Sequence, residues 1–275
     1  MNTTKLVVSE DIRFAAFDLD GTIVDDRGKL LNNISDGINS MVKKGVLPFI
    51  VTGRSLDAFL SLNLSSEFLE LFYPKVICSD GNLIFNYRNN EFNVLSTINK
   101  IVFENVYNKY KKSADFVVEN NGVHYAEHKS AALKYCMIFS TKREQIKICD
   151  MSKNLWGDIT EIIILPKENH SIELDDFITS RCKVDNSPFL NALVILPNDI
   201  CKAEGLLRLI NKELGEKYDL NNVIAFGDGR NDASLLKRSS LGIAMNDSHP
   251  EAIKNANIHL SEPLDSFLNK TFRRE

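Results

Sequence analysis

Asp18 and Asp20, in the run Asp18-Leu19-Asp20-Gly21-Thr22, stand two residues apart just past the short apolar run Arg13 to Phe17. In extended backbone, side chains two apart point the same way, so both carboxylates leave the strand on one face. Ligands of open α/β sheets bind beyond the carboxyl ends of the strands. A pair of acids at such an end suits metal binding, proton transfer or nucleophilic attack. Gly21 lets the backbone turn and come close to a ligand. Two plainer readings stand beside this one: an acidic loop that follows a strand, and a calcium loop. The calcium loop of an EF-hand places its glycine sixth, whereas Gly21 is fourth counted from Asp18, which argues against calcium.

Three further strand ends carry polar residues of matching chemistry. Thr52-Gly53-Arg54 follows Val46 to Val51, and a hydroxyl with backbone amides there can hold phosphate oxygens. A helix N-cap would explain Thr52 or Ser55 equally well. Lys202 opens a helix after the run Ala192 to Pro197. It reads either as a point charge for phosphate or as a solvated surface lysine. Gly227-Asp228-Gly229-Arg230-Asn231-Asp232 follows Asn222 to Phe226. Asp228 and Asp232 on this flexible turn make a second metal-binding candidate. The ion that such carboxylates would share with a phosphate is Mg2+.

The elements that must position these residues alternate. Apolar runs at Arg13 to Phe17, Val46 to Val51, Lys75 to Cys78, Ala192 to Leu196, Asn222 to Phe226 and Leu241 to Ala244 read as strands. Between them, Asn32 to Lys44, Ser55 to Leu71, Lys202 to Leu214, Ala233 to Lys237 and Pro250 to Asn255 have helical character, and Leu264 to Phe272 closes the chain as a helix. This alternation predicts an α/β fold, a parallel sheet with helices on both faces. The middle differs. Leu83 to Tyr87 with Glu91 to Leu95, and Phe116 to Glu119 with Val123 to Glu127, flank the turn signals Arg88-Asn89-Asn90 and Asn120-Asn121-Gly122. With helical patterns at Ile98 to Lys112 and Ile172 to Ser180 and a strand at Thr160 to Leu165, this is an inserted α+β module. The predicted division is 1–82 with 188–275 for the core and 83–187 for the insertion.

Composition narrows the function. The chain has 275 residues, 44% hydrophobic and 25% charged, and a net charge of −4. That mix buries a core. The mild acidity argues against a nucleic-acid partner. No apolar run reaches the roughly 20 residues needed to cross a bilayer, and the first residues lack a signal-peptide pattern. A cytoplasmic protein without a membrane partner is expected, as a monomer or weak homodimer. Five cysteines without a CxxC pair predict neither a disulfide framework nor a cysteine zinc site.

Together, Asp18-Leu19-Asp20-Gly21-Thr22, Thr52-Gly53-Arg54, Lys202 and Gly227 to Asp232 resemble the four ordered motifs of the haloacid dehalogenase-like superfamily of aspartate-nucleophile phosphatases. The insertion after the third strand is similar to the C2-type cap of its Cof-like subfamily. The resemblance implies a Rossmann-like core with a cap and a Mg2+-dependent phosphomonoester hydrolase. Its substrate would be a small phosphorylated metabolite, foremost a sugar phosphate. It implies that Asp18 attacks phosphorus, forming an aspartyl phosphate, while Asp20 protonates the leaving oxygen and then activates water. Asp18, the Asp20 carbonyl and Asp228 would hold Mg2+, supported by Asp232. Thr52, Lys202 and Asn231 would bind the phosphoryl group, and Gly53 and Arg54 would shape its surroundings. The acid role asks that the neighbours of Asp20 favour its protonated form. One departure stands out: Ser79-Asp80-Gly81-Asn82 replaces an Asn-Gly-Ala type of turn. Asp80 either points to an amine or polyhydroxyl substrate or caps its own turn.

The insertion offers His124, His128, Lys134, Tyr135, Arg143 and Arg181. Each reads first as an ordinary core or surface residue, and Trp156 as core. A sugar phosphomutase would need clustered arginines for a second phosphate, and Arg88, Arg143 and Arg181 are scattered in the sequence. A non-catalytic sensor would be marked by loss of Asp18, Asp20 or Asp228, and all three are present.

Overall fold

The computed structural model describes residues 9–139, 146–153, 156–168, 170–187 and 191–272. They form two compact units. The first takes the described residues through Arg54, Leu62–Asn93 and those from Cys201 onward; the second takes Ser55–Ser61 and Val94–Ile200.

The first unit is built on β1 (Phe14–Phe17), whose four residues are all buried. It is followed by α1 (Ile34–Val42) and β2 (Leu47–Ile50). Ile34, Ile38 and Met41 recur at helical spacing and give α1 its buried face. After α2 (Leu56–Ser61) and α3 (Ser66–Leu69), the chain runs through β3 (Lys75–Cys78), β4 (Leu83–Asn86) and β5 (Glu91–Val94).

The second unit continues with α4 (Lys100–Tyr110), β6 (Ala114–Asn120), β7 (Val123–Ala126), α5 (Lys129–Phe139), β8 (Lys147–Ile148), β9 (Ile159–Pro166), α6 (Asp176–Thr179), β10 (Cys182–Ser187) and β11 (Ala192–Pro197). The chain then returns to the first unit with α7 (Lys202–Leu214), β12 (Val223–Gly227), α8 (Ala233–Arg238), β13 (Leu241–Ala244), α9 (Pro250–Asn255), β14 (Ile258–His259) and α10 (Leu264–Phe272).

The core sheet has the order β14-β13-β12-β1-β2. All of its pairings are parallel. Parallel strands buried on both faces read as continuous apolar runs, which is how β1 and β12 look in the sequence. Phe17 of β1 stacks on Phe226 of β12 with ring centroids 4.6 Å apart. α10 packs on α1 at Gly37, where an added Cβ would lie 3.2 Å from Leu268. The α/β class and the parallel core are as the alternation predicts.

In the second unit the sheet order is β10-β11-β9-β6-β7-β8. Successive residues of its strands feed opposite faces. Phe116 and Val118 pack with Ile162 and Ile164 on one side, Val117 with Ile163, Leu165 and α5 on the other. Trp156 lies in the first of these clusters and donates to the Met151 carbonyl at 3.1 Å.

Three local readings differ from the structure. Ser55 to Leu71 is not one helix: α2 and α3 are separated at Asn63, which adopts a left-handed φ of 50°. Ala192 to Leu196 is a strand, but β11 pairs with β9 and β10 in the second unit rather than with the core sheet. β4 pairs antiparallel with β3, so the first unit extends past 82; 188 lies outside the described residues.

Two glycines set a close approach. Gly81 has φ 103°, and a Cβ on it would overlap the Cys201 carbonyl; a Cβ on Gly205 of α7 would overlap the Gly81 carbonyl. This contact brings the start of α7 against the turn after β3. Gly45 also has positive φ (83°), with open space around it. Gly81→Ala should therefore destabilise the protein by roughly 2–4 kcal/mol and Gly45→Ala by about 1 kcal/mol. Urea unfolding midpoints measure both, and equal losses would contradict the packing role.

Candidate active site

The site lies at the carboxyl ends of β1, β2 and β12, all in the first unit. β1 runs directly into Asp18, whose amide donates to the Phe226 carbonyl at 3.0 Å. Register therefore places Asp18 beside Gly227 and Asp228, one residue beyond the Phe17–Phe226 pair. Gly21 turns the chain with φ 72°, and a Cβ there would overlap the Asp228 carboxylate. Thr22, fully buried, reaches the same carboxylate through its hydroxyl at 3.5 Å.

At the centre is Lys202, the first residue of α7. Its ammonium donates to Asp18 Oδ1 and to Asp232 Oδ1, both at 2.6 Å. All three residues are buried, with Lys202 only 1% exposed. Burial works against the charged lysine, but Asp18 and Asp232 outweigh it and hold its pKa above the ordinary lysine range. Burial pushes the Asp18 carboxyl the other way, above its usual value, while Lys202 pulls it down. Lys202 is thus an internal counter-ion, and the solvated surface lysine allowed by the sequence is excluded.

Asp232 is held from both sides. Its Oδ2 accepts the amides of Asp228 at 3.1 Å and Gly229 at 2.9 Å. Such a turn fixes the Asp228 side chain close by. Asp18, Asp228 and Asp232 each offer a carboxylate oxygen within 4.8 Å of the others. Burial and the nearby Asp232 push the half-buried Asp228 up to about 6.

Asp20 differs. Its side chain is 49% exposed and forms a two-pronged ion pair with Arg54, Nε to Oδ2 at 2.7 Å and Nη2 to Oδ1 at 2.6 Å. In this arrangement the guanidinium occupies both oxygens of the Asp20 carboxylate. Thr52 is buried and its Oγ accepts the Arg54 amide at 3.1 Å, a local turn contact. Gly53 is exposed, with Asp80 and Asn231 next to where a Cβ would stand. Asn231 donates its side-chain amide to Asp80 Oδ1 at 2.8 Å. Asp80, in left-handed backbone (φ 54°), therefore reaches across to the turn that carries Asp228.

All nine candidate residues of the sequence thus gather in the first unit. Thr22, to which the motifs give no role, and Asp80 join them. Asp80 is singled out by the sequence as a charge in the turn after the third strand, bearing on substrate choice or capping that turn, and Thr22 carries no signal beyond its place in the motif. A lone glycine in a helical pattern, Gly205, is a signal that could have pointed to the close approach that seats Lys202. In the second unit, Arg181 stacks over Phe177 at 4.2 Å. Arg143 lies outside the described residues.

Lys202→Ala would leave two buried carboxylates without their cation. The expected cost is roughly 3–5 kcal/mol, read as a lower urea midpoint in chelator-treated protein. An unchanged midpoint would show that Lys202 does not balance these charges.

Comparison with known proteins agrees with the geometry. The haloacid dehalogenase-like hydrolase family matches residues 15–263. A putative phosphatase of Buchnera aphidicola subsp. Baizongia pistaciae is 27% identical over 272 residues, covering 94% of this chain and 97% of the relative. A phosphoglycolate phosphatase of Methanobrevibacter smithii is 27% identical over 244 residues, 88% of either chain. In fold, a haloacid dehalogenase-like hydrolase from Bacteroides thetaiotaomicron superposes with a TM-score of 0.76 at 18% identity, over 94% of this chain and 99% of its own. A subclass IIB sugar phosphatase of the same superfamily gives 0.69 at 17% identity, over 94% of this chain and 96% of its own. The chain belongs to the haloacid dehalogenase-like hydrolase family, as an enzyme of its Cof-like phosphatase group.

Proposed function

We propose that this enzyme hydrolyses small phosphomonoesters, foremost a sugar phosphate, through a phosphorylated Asp18 and with Mg2+ bound among Asp18, Asp228 and Asp232. The observation that carries the reading is the buried Lys202 fixed at 2.6 Å from Asp18 Oδ1. It orients one oxygen of that carboxylate and leaves Oδ2 to attack.

The donor set fits the ion. Three carboxylates within 4.8 Å of one another form an all-oxygen group suited to a hard divalent cation. Burial first, and the neighbouring Asp232 second, raise the pKa of Asp228, and a bound cation would favour its charged form. Asp18, Asp228 and the Asp20 backbone carbonyl would hold Mg2+, with Asp232 behind them. When bound, the ion offsets the charge of the phosphoryl group and of the attacking carboxylate.

The residues then divide the work. Asp18 Oδ2 bonds to phosphorus as the bond from phosphorus to the ester oxygen breaks. Asp20 delivers a proton to that leaving oxygen. In the second step Asp20 takes a proton from water, the water oxygen bonds to phosphorus, and the bond to Asp18 breaks, releasing inorganic phosphate. Splitting the reaction lets one carboxylate serve as nucleophile and another as acid and then base. For the first step Arg54 must release Asp20; an incoming phosphoryl group offers the guanidinium an alternative anion at the same place. The Thr52 hydroxyl and the Asn231 amide would complete the cradle, Asn231 by exchanging Asp80 for phosphate oxygen.

The names of the relatives support a small substrate. One is a phosphoglycolate phosphatase. Another, from Bacillus subtilis, is a 5-amino-6-(5-phospho-D-ribitylamino)uracil phosphatase, 23% identical over 84% of this chain and 85% of its own. Both names describe phosphomonoesters of small polar molecules.

A panel of phosphorylated sugars and cofactors, incubated with enzyme and Mg2+, should release inorganic phosphate from at least one member, and chelation should stop the release. No release from any member, nor from p-nitrophenyl phosphate, would refute the phosphatase reading. Asp18→Asn should abolish turnover with the fold intact, and Asp20→Asn should lower kcat by about 10²–10⁴-fold. Wild-type rates from Asp18→Asn would remove the assigned nucleophile.

A further inference from the structure

The second unit contains another cluster of ionisable side chains that the proposed reaction does not use. Glu119 on β6 stands directly opposite His124 on β7 and directly opposite Glu161 on β9. Residues paired across adjacent strands share a face, so the three form a row across the middle of the sheet. That face is otherwise apolar, carrying Val117, Ala126, Ile163 and Leu165 under α5. Glu119 and His124 are 0% and 1% exposed.

The row is short of positive charge. Two glutamates directly opposite one another repel. Asp57 of α2 adds a third carboxylate, with Oδ2 at 3.3 Å from His124 Nδ1. Neither carboxylate oxygen of Glu119 has a hydrogen-bond partner among the described residues. The Thr160 hydroxyl beside it donates instead to the Glu119 backbone carbonyl at 3.2 Å. A buried carboxylate with both oxygens unsatisfied is costly unless something neutralises it.

We propose that Glu119, His124 and Glu161 bind a divalent transition-metal ion of the zinc type. One oxygen or nitrogen from each residue lies within 4.8 Å of the other two. His124 Nε2 and Glu161 Oε2 are 3.8 Å apart, and ligand bonds of about 2.0–2.2 Å to a shared ion span such a gap. One imidazole with two carboxylates is a donor set suited to zinc and its neighbours. The surroundings are also those of a metal-ligating histidine. With the Nδ1 proton directed to Asp57 Oδ2, Nε2 would present its lone pair to the cluster. The Tyr135 hydroxyl sits 2.9 Å from Nε2, placed to donate to it when no ion is bound or to approach the ion as a fourth group. The ion would tie α2, which follows Thr52-Gly53-Arg54 in the chain, to three strands of the second unit's sheet.

The rival occupant is a proton on Glu119, and zinc binding separates the two. The full chain carrying Asp18→Asn and Asp228→Asn, which disables the acidic group of the first unit, is stripped with chelator and dialysed against Zn2+. One equivalent should remain bound, and its X-ray absorption spectrum should show one imidazole nitrogen among oxygen ligands. Adding Glu119→Gln, or Glu161→Gln if the first variant misfolds, should weaken binding more than the roughly 10–100-fold expected for Asp57→Asn. No bound equivalent, a zinc shell without imidazole, or undiminished binding in the folded glutamine variants would overturn the proposal and leave the proton as occupant.

Discussion

A single buried ammonium governs the geometry of the first unit. Lys202 is shut off from the surface, and its charge is balanced by the two carboxylates at 2.6 Å. Those carboxylates come from distant parts of the chain, Asp18 from the end of β1 and Asp232 from the turn after β12. The parallel register of β1 and β12 brings the two together, and the meeting of Gly81 with α7 delivers the lysine. If any of the three is moved, two like charges or one isolated charge is left in the interior. The same constraint that holds the fold also aims Asp18, so the proposed nucleophile is fixed before any substrate arrives.

The two units show two answers to one electrostatic problem. In the first, Lys202 pairs with Asp18 and Asp232, and Asp228 beside them completes the all-oxygen group proposed to take a hard cation. In the second, Glu119, Glu161 and Asp57 face a single imidazole, with no lysine among them. The donors differ accordingly: all oxygen in the first group, nitrogen with oxygen in the second. The two groups are expected to differ in the ion they select for that reason.

The site was legible where chemistry falls at the end of an apolar run. Asp18, Thr52 and Asp228 each follow a strand whose sequence is nearly continuous in apolar residues, and the parallel core follows from the same runs. Lys202 was legible as a position but not as a buried ion pair, since a lysine at a helix start looks the same whether wet or dry. Ala192 to Pro197 shows as a strand, but its place in the second unit's sheet does not, because an apolar run does not name its hydrogen-bond partners. The break at Asn63 was hidden by helical spacing on both sides of it. The Arg54–Asp20 pair and the row Glu119, His124 and Glu161 are products of register and side-chain reach, which span 34 residues in the first case. No local pattern carries such information.

The account turns on Asp18 as a covalent nucleophile, which implies two displacements at phosphorus. The most direct test is the steric course of hydrolysis with a substrate whose phosphoryl group is chiral through oxygen isotopes. Two in-line displacements predict net retention of configuration in the released phosphate. Net inversion would mean that water attacks phosphorus directly and would contradict the role given to Asp18.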